Sequence, residues 1–204
     1  MGDGNSIPIS EEQAKLLREL VSLIKDAGGY AADVLGDLPK DLVGLLAGDR
    51  VKAWRAERLA KLWHRVKKRL EAQGIEEPEQ PSPKLALPIL AAAADENSEE
   101  LQNLWERLLA AAMNPDRAKR VRLRFVEAAR RLDPVDALVF EWIAPRNRVE
   151  AARRTDIAQA LNVSRDEVNV SVENLVEVGL LVPSDPVTDA LTSFGREFWR
   201  TIQD

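Results

Sequence analysis

The chain has 204 residues, 45% apolar and 31% charged, with no cysteine and a formal net charge of −5. This is a globular composition. Without cysteine it has no disulfide, thiolate nucleophile or cysteine-bound metal, which fits a reducing cytoplasm. The longest apolar run, Leu85 to Ala94, is half of the roughly 20 residues that span a bilayer, so no transmembrane helix is expected. The opening residues lack the basic and apolar regions of a signal peptide.

In chain order, residues 1–9 read as a flexible N-terminus. Ser10 and Gln13 form a capping box for a helix carrying Leu17, Leu20, Val21 and Ile24, stopped by Gly28-Gly29. Residues 30–48 read as two short helices broken near Leu38-Pro39. From Asp49 to Gln73 the spacing of Val51, Trp54, Leu59, Leu62, Trp63, Val66 and Leu70 predicts a longer amphipathic helix, ended by Gly74. Three prolines between Pro78 and Pro83 make residues 75–83 a linker.

Residues 84–132 form the next helical region. Lys84 to Ala94 is a short apolar helix; Asn97 and Glu100 form a capping box for a helix through Ala112, closed by Asn114-Pro115; and Arg117 to Leu132 reads as a basic helix. Residues 133–204 are more diagnostic. Pro134 opens one helix, Thr155 caps a second over Asp156 to Leu161, and Asn162-Val163-Ser164 turns into a third. Ser164 and Glu167 form its capping box, and Gly179 ends it. A strand at Leu180–Val182, a turn at Pro183–Pro186, a return strand over residues 187–191 and a closing helix from Thr192 follow. Two helices on a tight turn followed by a hairpin are the order of a winged helix. The expected fold is therefore mostly α: an N-terminal helical region, then a C-terminal winged helix-turn-helix with a small β-hairpin wing.

Charge is unevenly distributed. Residues 133–204 hold seven arginines, no lysine and thirteen carboxylates, a net of −6, which leaves +1 for the rest. Between Arg50 and Leu70 nine cations face the single Glu57. Arg50, Lys52, Arg55, Arg58, Lys61, Arg65, Lys67, Lys68 and Arg69, with Trp54, make a candidate surface for an anionic membrane or nucleic acid. The competing reading is a solvated face whose long stems cover a helical core. The apolar, glycine-containing segment before it, Val34 to Leu46, favours membrane among the functional readings.

A DNA-reading helix offers cations and amides to phosphates and base edges. The solvent side of residues 164–178 instead carries four carboxylates and one arginine, and the wing has two aspartates and no cation. Such a surface repels a duplex. Arg165, Asp166, Asn169, Glu173 and Glu177 are thus expected to face a protein partner. His64, the sole histidine, has no nucleophile pattern beside it and reads as packing, and one histidine without cysteine makes zinc binding implausible. The acidic group Asp95, Glu96, Glu99 and Glu100 sits where a helix N-terminus favours negative charge. No catalytic residue, metal site or cofactor is expected.

Several weak motifs occur in a recognisable order: Gly36-Asp37, Leu42-Val43-Gly44, Gly48-Asp49-Arg50-Val51, Trp54-Arg55, Gly74-Ile75, Pro83-Lys84-Leu85, Pro88-Ile89-Leu90, Leu104-Trp105, Asn114-Pro115 and Leu191-Thr192-x-Phe194-Gly195. Together, over about residues 28–200, they resemble the bacterial abortive-infection alpha family. The resemblance implies a prokaryotic phage-defence protein and brings no established catalytic residues with it.

The expected function is non-enzymatic defence through a membrane or a protein partner, with the acidic winged helix as an interaction or assembly module. Self-association or a protein partner is expected, and an anionic membrane surface is the second candidate. Location is cytoplasmic, or peripheral at the inner membrane face. The rival is a winged-helix transcriptional regulator, which the acidic charge of the reading face opposes.

Overall fold

In a computed structural model of the chain, the structure describes residues 49–146, 154–183 and 189–203. The Ser10 capping box, its helix and glycine stop, the two short helices of residues 30–48 and the segment Val34 to Leu46 lie outside the described residues. The chain divides into two compact units, Met1–Arg65 and Val66–Asp204.

The described part is mostly helical. Helix α1 (Asp49–Ala72) is followed by α2 (Pro83–Asp95), α3 (Glu99–Met113), a 3-10 turn (Ala118–Arg120), α4 (Leu123–Ala129) and α5 (Pro134–Ile143). After a second 3-10 turn (Ala144–Arg146) come α6 (Arg154–Leu161), α7 (Arg165–Glu177), strands β1 (Leu181–Pro183) and β2 (Asp189–Leu191), and α8 (Ser193–Ile202). The strands pair antiparallel, with Leu181 opposite Leu191 and Val182 opposite Ala190.

Both helix-ending glycines do what their chemistry suggests. Gly74 has φ +72° and Gly179 φ +82°, the left-handed conformation that costs a side chain energy. Ile75 N–H bonds Leu70 C=O and Gly74 N–H bonds Glu71 C=O; Leu180 bonds Leu175 and Gly179 bonds Val176 in the same pattern. Each end therefore has its last carbonyls satisfied in a Schellman motif. Ser164 Oγ accepts from Glu167 N–H at 3.1 Å and Glu167 Oε2 accepts from Ser164 N–H at 2.8 Å, closing the expected capping box.

Three expectations need correction. The cap of α3 is Ser98, whose hydroxyl accepts from Leu101 N–H at 3.3 Å, while Glu96 accepts from Asn97 and Ser98 N–H at 2.8 Å each. Asn97 has no such role, because a cap must lie one residue before the first helical position. The single basic helix of residues 117–132 is a 3-10 turn and a seven-residue helix separated by extended Val121 and Arg122. Helix α6 begins at Arg154, which puts Thr155 inside its first turn rather than at its cap.

Within Val66–Asp204, α3 is the central element, touching α2, α4, α5 and α8. Its last turns, Leu108 to Met113, are buried on every side, as a helix apolar all round must be. Phe125 of α4, Phe140 of α5 and Phe198 of α8 are each about 1% exposed or less. Their rings meet at 5.5 Å, and Phe194 and Trp199 extend the cluster. Such pairs each add about 0.5–1.5 kcal/mol beyond the area they bury, so α8 is fastened across the unit from residue 125 to its own C-terminal turn.

Helices α6 and α7 are joined by three residues, with Asn162 at φ +55°, a conformation asparagine tolerates. Helix α7 packs on α5, α6 and β1, and its Val168, Val172 and Leu175 are buried. A polar node reinforces the contact with α5. Asn174 Nδ2 donates to Asp136 Oδ2 at 2.6 Å and to Arg131 C=O at 2.9 Å, while the same aspartate oxygen accepts Asp133 N–H at 2.7 Å.

The hairpin is closed at its base. Thr192 N–H bonds Leu180 C=O at 3.0 Å, and the Thr192 hydroxyl donates to Gly179 C=O at 2.6 Å and accepts Gly195 N–H at 2.8 Å.

Candidate functional site

The basic side of α1 is not a uniform row of free charge. Arg50 and Lys52 lie on the helix, but their side chains are outside the described part. Trp54 is 40% exposed, and the Arg58 guanidinium sits 3.9 Å above its ring. That one-turn spacing suits a cation–π contact worth about 0.5–1 kcal/mol at an exposed site. Lys61 pairs with Glu57 at 2.5 Å and Lys67 with Glu71 at 3.9 Å, both one turn apart and exposed, so each contributes little. Arg69 turns inward to Glu106 at 2.7 Å, both side chains largely covered. Arg55 and Arg65 are half-buried, and Lys68 and His64 are exposed. The row therefore splits: Arg69 is structural, Lys61 and Lys67 are neutralised locally, and Lys68 faces solvent with His64.

On α7 the five candidate residues share the side opposite the buried valines. Arg165, Asp166, Glu173 and Glu177 are exposed and Asn169 is half-buried. Asn169 accepts from Arg154 of α6 at 3.1 Å, and Glu177 forms an ion pair with Arg131. Both are partnered within the unit, leaving Asp166 and Glu173 to face outward. Between them stands Val170, 65% exposed. Positions 166, 170 and 173 lie on one helical stripe, so an apolar side chain is set between two carboxylates. From sequence Val170 is assigned to neither side of the helix; its offset from the buried Val168 and Val172 is the available signal. Glu167, fully exposed, has its carboxyl pKa lowered by the backbone N–H of Ser164 and then by the Ser164 side chain.

A second cationic surface, read from the sequence as one side of a helix, takes a different form. Arg117, Lys119, Arg120, Arg122 and Arg124 occur within eight residues without an intervening carboxylate. Arg117 bonds Gln203 C=O, and Arg124 lies 4.5 Å from the Phe194 ring centroid. Lys119, Arg120 and Arg122 are exposed. Only Val121 and Arg122 are extended, and Leu123 already opens the helix that carries Arg124 and Phe125.

Among the described residues no group of three or more His, Asp or Glu is placed to hold a metal ion. No described helix is long and apolar enough to cross a membrane.

No curated protein and no solved structure matches this chain. The family model described as abortive infection alpha matches residues 55–190, from within the cationic helix into β2 and including the whole of α7. With two thirds of its length matched, the chain belongs to the abortive infection alpha family.

Proposed function

We propose that this protein serves in phage defence by binding other macromolecules rather than by catalysis, and that α5 to α8 with the β-hairpin form a winged helix facing protein. The observation that carries this reading is the outward side of α7, where Asp166, Val170 and Glu173 are all exposed. Its carboxylates oppose the phosphates a reading helix must approach. A protein partner is the kind of ligand that could cover Val170 while meeting the carboxylates around it, as an interface with a polar rim does. The order of elements, with a three-residue turn between α6 and α7 and a short hairpin before α8, supports the winged-helix reading. Family membership supports the defence role.

The test is phage plating on cells expressing the full chain or its Val170→Lys variant. Loss of protection with unchanged protein level is expected; full protection by the variant removes α7 from the mechanism. A mobility shift at low salt against genomic DNA tests the rival, and tight binding through α7 would overturn the protein-facing reading.

Peripheral membrane contact by α1 is a second reading, favoured by the exposed Trp54 beside Arg58. Tryptophan with a cation suits the headgroup region. Flotation with anionic vesicles checks it, and absence of binding that Trp54→Ala could reduce removes it.

A further inference from the structure

Two surfaces of opposite sign stand apart within Val66–Asp204. Among the described residues, Asp166 and Glu173 on α7 and Lys119, Arg120 and Arg122 before α4 are exposed and enter no ion pair. Within one copy neither group has an ion-pair partner among the described residues. The Arg131–Glu177 pair, and Arg124 Nη2 at 3.8 Å from the position a Gly179 Cβ would take, put the residues that follow the cationic stretch at the C-terminal end of α7. Asp166 lies eleven residues up that helix from Glu177, about 16 Å at 1.5 Å per residue. For Asp166 that exceeds the ~8–10 Å over which exposed charges interact at ordinary salt, whereas Glu173 lies nearer, about 6 Å from Glu177 along the axis.

We propose that the Asp166–Val170–Glu173 face of one copy docks on the Lys119–Arg122 edge of a second copy of this chain. This rests on the protein-facing reading of α7 and deepens it by naming the partner. Each copy carries both halves of the contact, and docking covers Val170 while pairing two carboxylates with three cations. A nucleic acid or lipid headgroup on the cationic edge would leave the α7 face uncovered. The contact joins unlike surfaces, so it builds a head-to-tail ring or filament unless a two-fold arrangement closes it.

The experiment is sedimentation velocity on the full chain, at low and high salt, with two neutralised variants. One is Asp166→Asn with Glu173→Gln; the other is Lys119→Gln, Arg120→Gln and Arg122→Gln. All five positions are exposed, and matching melting curves confirm folding. Wild type should associate at low salt and weaken at least about tenfold when salt exceeds ~0.5 M. Each variant alone should be monomeric, while an equimolar mixture, which retains one intact contact, should form a heterodimer and nothing larger. A monomeric wild type at low salt overturns the proposal, as does association indifferent to salt and to both variants. If wild type is monomeric yet the α7 variant loses phage protection, the protein-facing reading stands with another partner. If α7 affects neither, both fall.

Discussion

Replacing Gly195 by alanine tests the packing of α8 by the sign of its effect. Gly195 lies in the first turn of α8, where alanine ordinarily gains up to about 1 kcal/mol over glycine. Here a Cβ would stand 2.1 Å from Leu180 C=O oxygen, 3.0 Å from its carbon and 3.2 Å from Leu191 Cδ2. Leu180 is fully buried, and its oxygen already accepts Thr192 N–H, so the obstacle is backbone held from both sides. Reaching even a 3.0 Å approach needs a shift of about 0.9 Å, which separates α8 from the hairpin base. Overpacking of this kind costs about 1–3 kcal/mol, and loosening the Thr192 bond adds about 1 kcal/mol. Against the propensity gain, the net loss is about 1–3 kcal/mol, or roughly 3–10 °C in Tm for a chain of this size. Thermal unfolding followed by circular dichroism, repeated as a urea titration, measures it. An unchanged or raised Tm would refute the close approach of α8 to Leu180.

Gly74→Ala separates conformational from steric cost: its φ is +72° but nothing lies within 4 Å of a Cβ. A loss of about 1 kcal/mol is expected from the left-handed backbone alone, smaller than at Gly195, with Gly74→Asn recovering part of it in the same melts. Asn174→Leu deprives the buried Asp136 carboxylate and Arg131 C=O of a donor, and should cost about 2–3 kcal/mol in urea unfolding; a neutral result would mean the node contributes nothing to α5–α7 packing. Glu167 has a folded-state pKa below its unfolded value because Ser164 N–H stabilises the carboxylate. Its contribution is therefore present above the ordinary glutamate range and lost as pH falls through the lowered value. The stability difference between wild type and Glu167→Gln should shrink on acidification, and a constant difference in melts across that range would contradict the assignment.

Where one residue's chemistry decides a local outcome, the sequence was legible. Gly74 and Gly179 end helices because glycine alone takes their φ cheaply, Ser164 with Glu167 starts one, and Asn162 to Ser164 makes the turn between α6 and α7. These depend on neighbours within a few positions, which the order of residues contains. The expected caps at Asn97 and Thr155 slipped locally, by a residue or so at a helix start, whereas other differences arise only in the folded chain. Residues 117–132 have the composition of a helix, yet extended Val121, which is buried, and Arg122, which is exposed, interrupt it. The cationic row on α1 looked continuous, but Glu106, thirty-seven residues away, takes Arg69 inward.

The same division holds for the candidate surfaces. Counting residues was enough to show that α7 is acidic and α1 basic, because net charge needs no coordinates. Only packing separated Glu177 and Asn169, tied to Arg131 and Arg154, from Asp166 and Glu173, which meet solvent. Only packing exposed Val170, since an apolar residue is core or contact according to the side of the helix its neighbours leave uncovered. Sequence determined most of the described helices, the glycine ends at Gly74 and Gly179, and the sign of each face. Tertiary structure decided which charges were already spent, because pairing depends on distance through space and not along the chain.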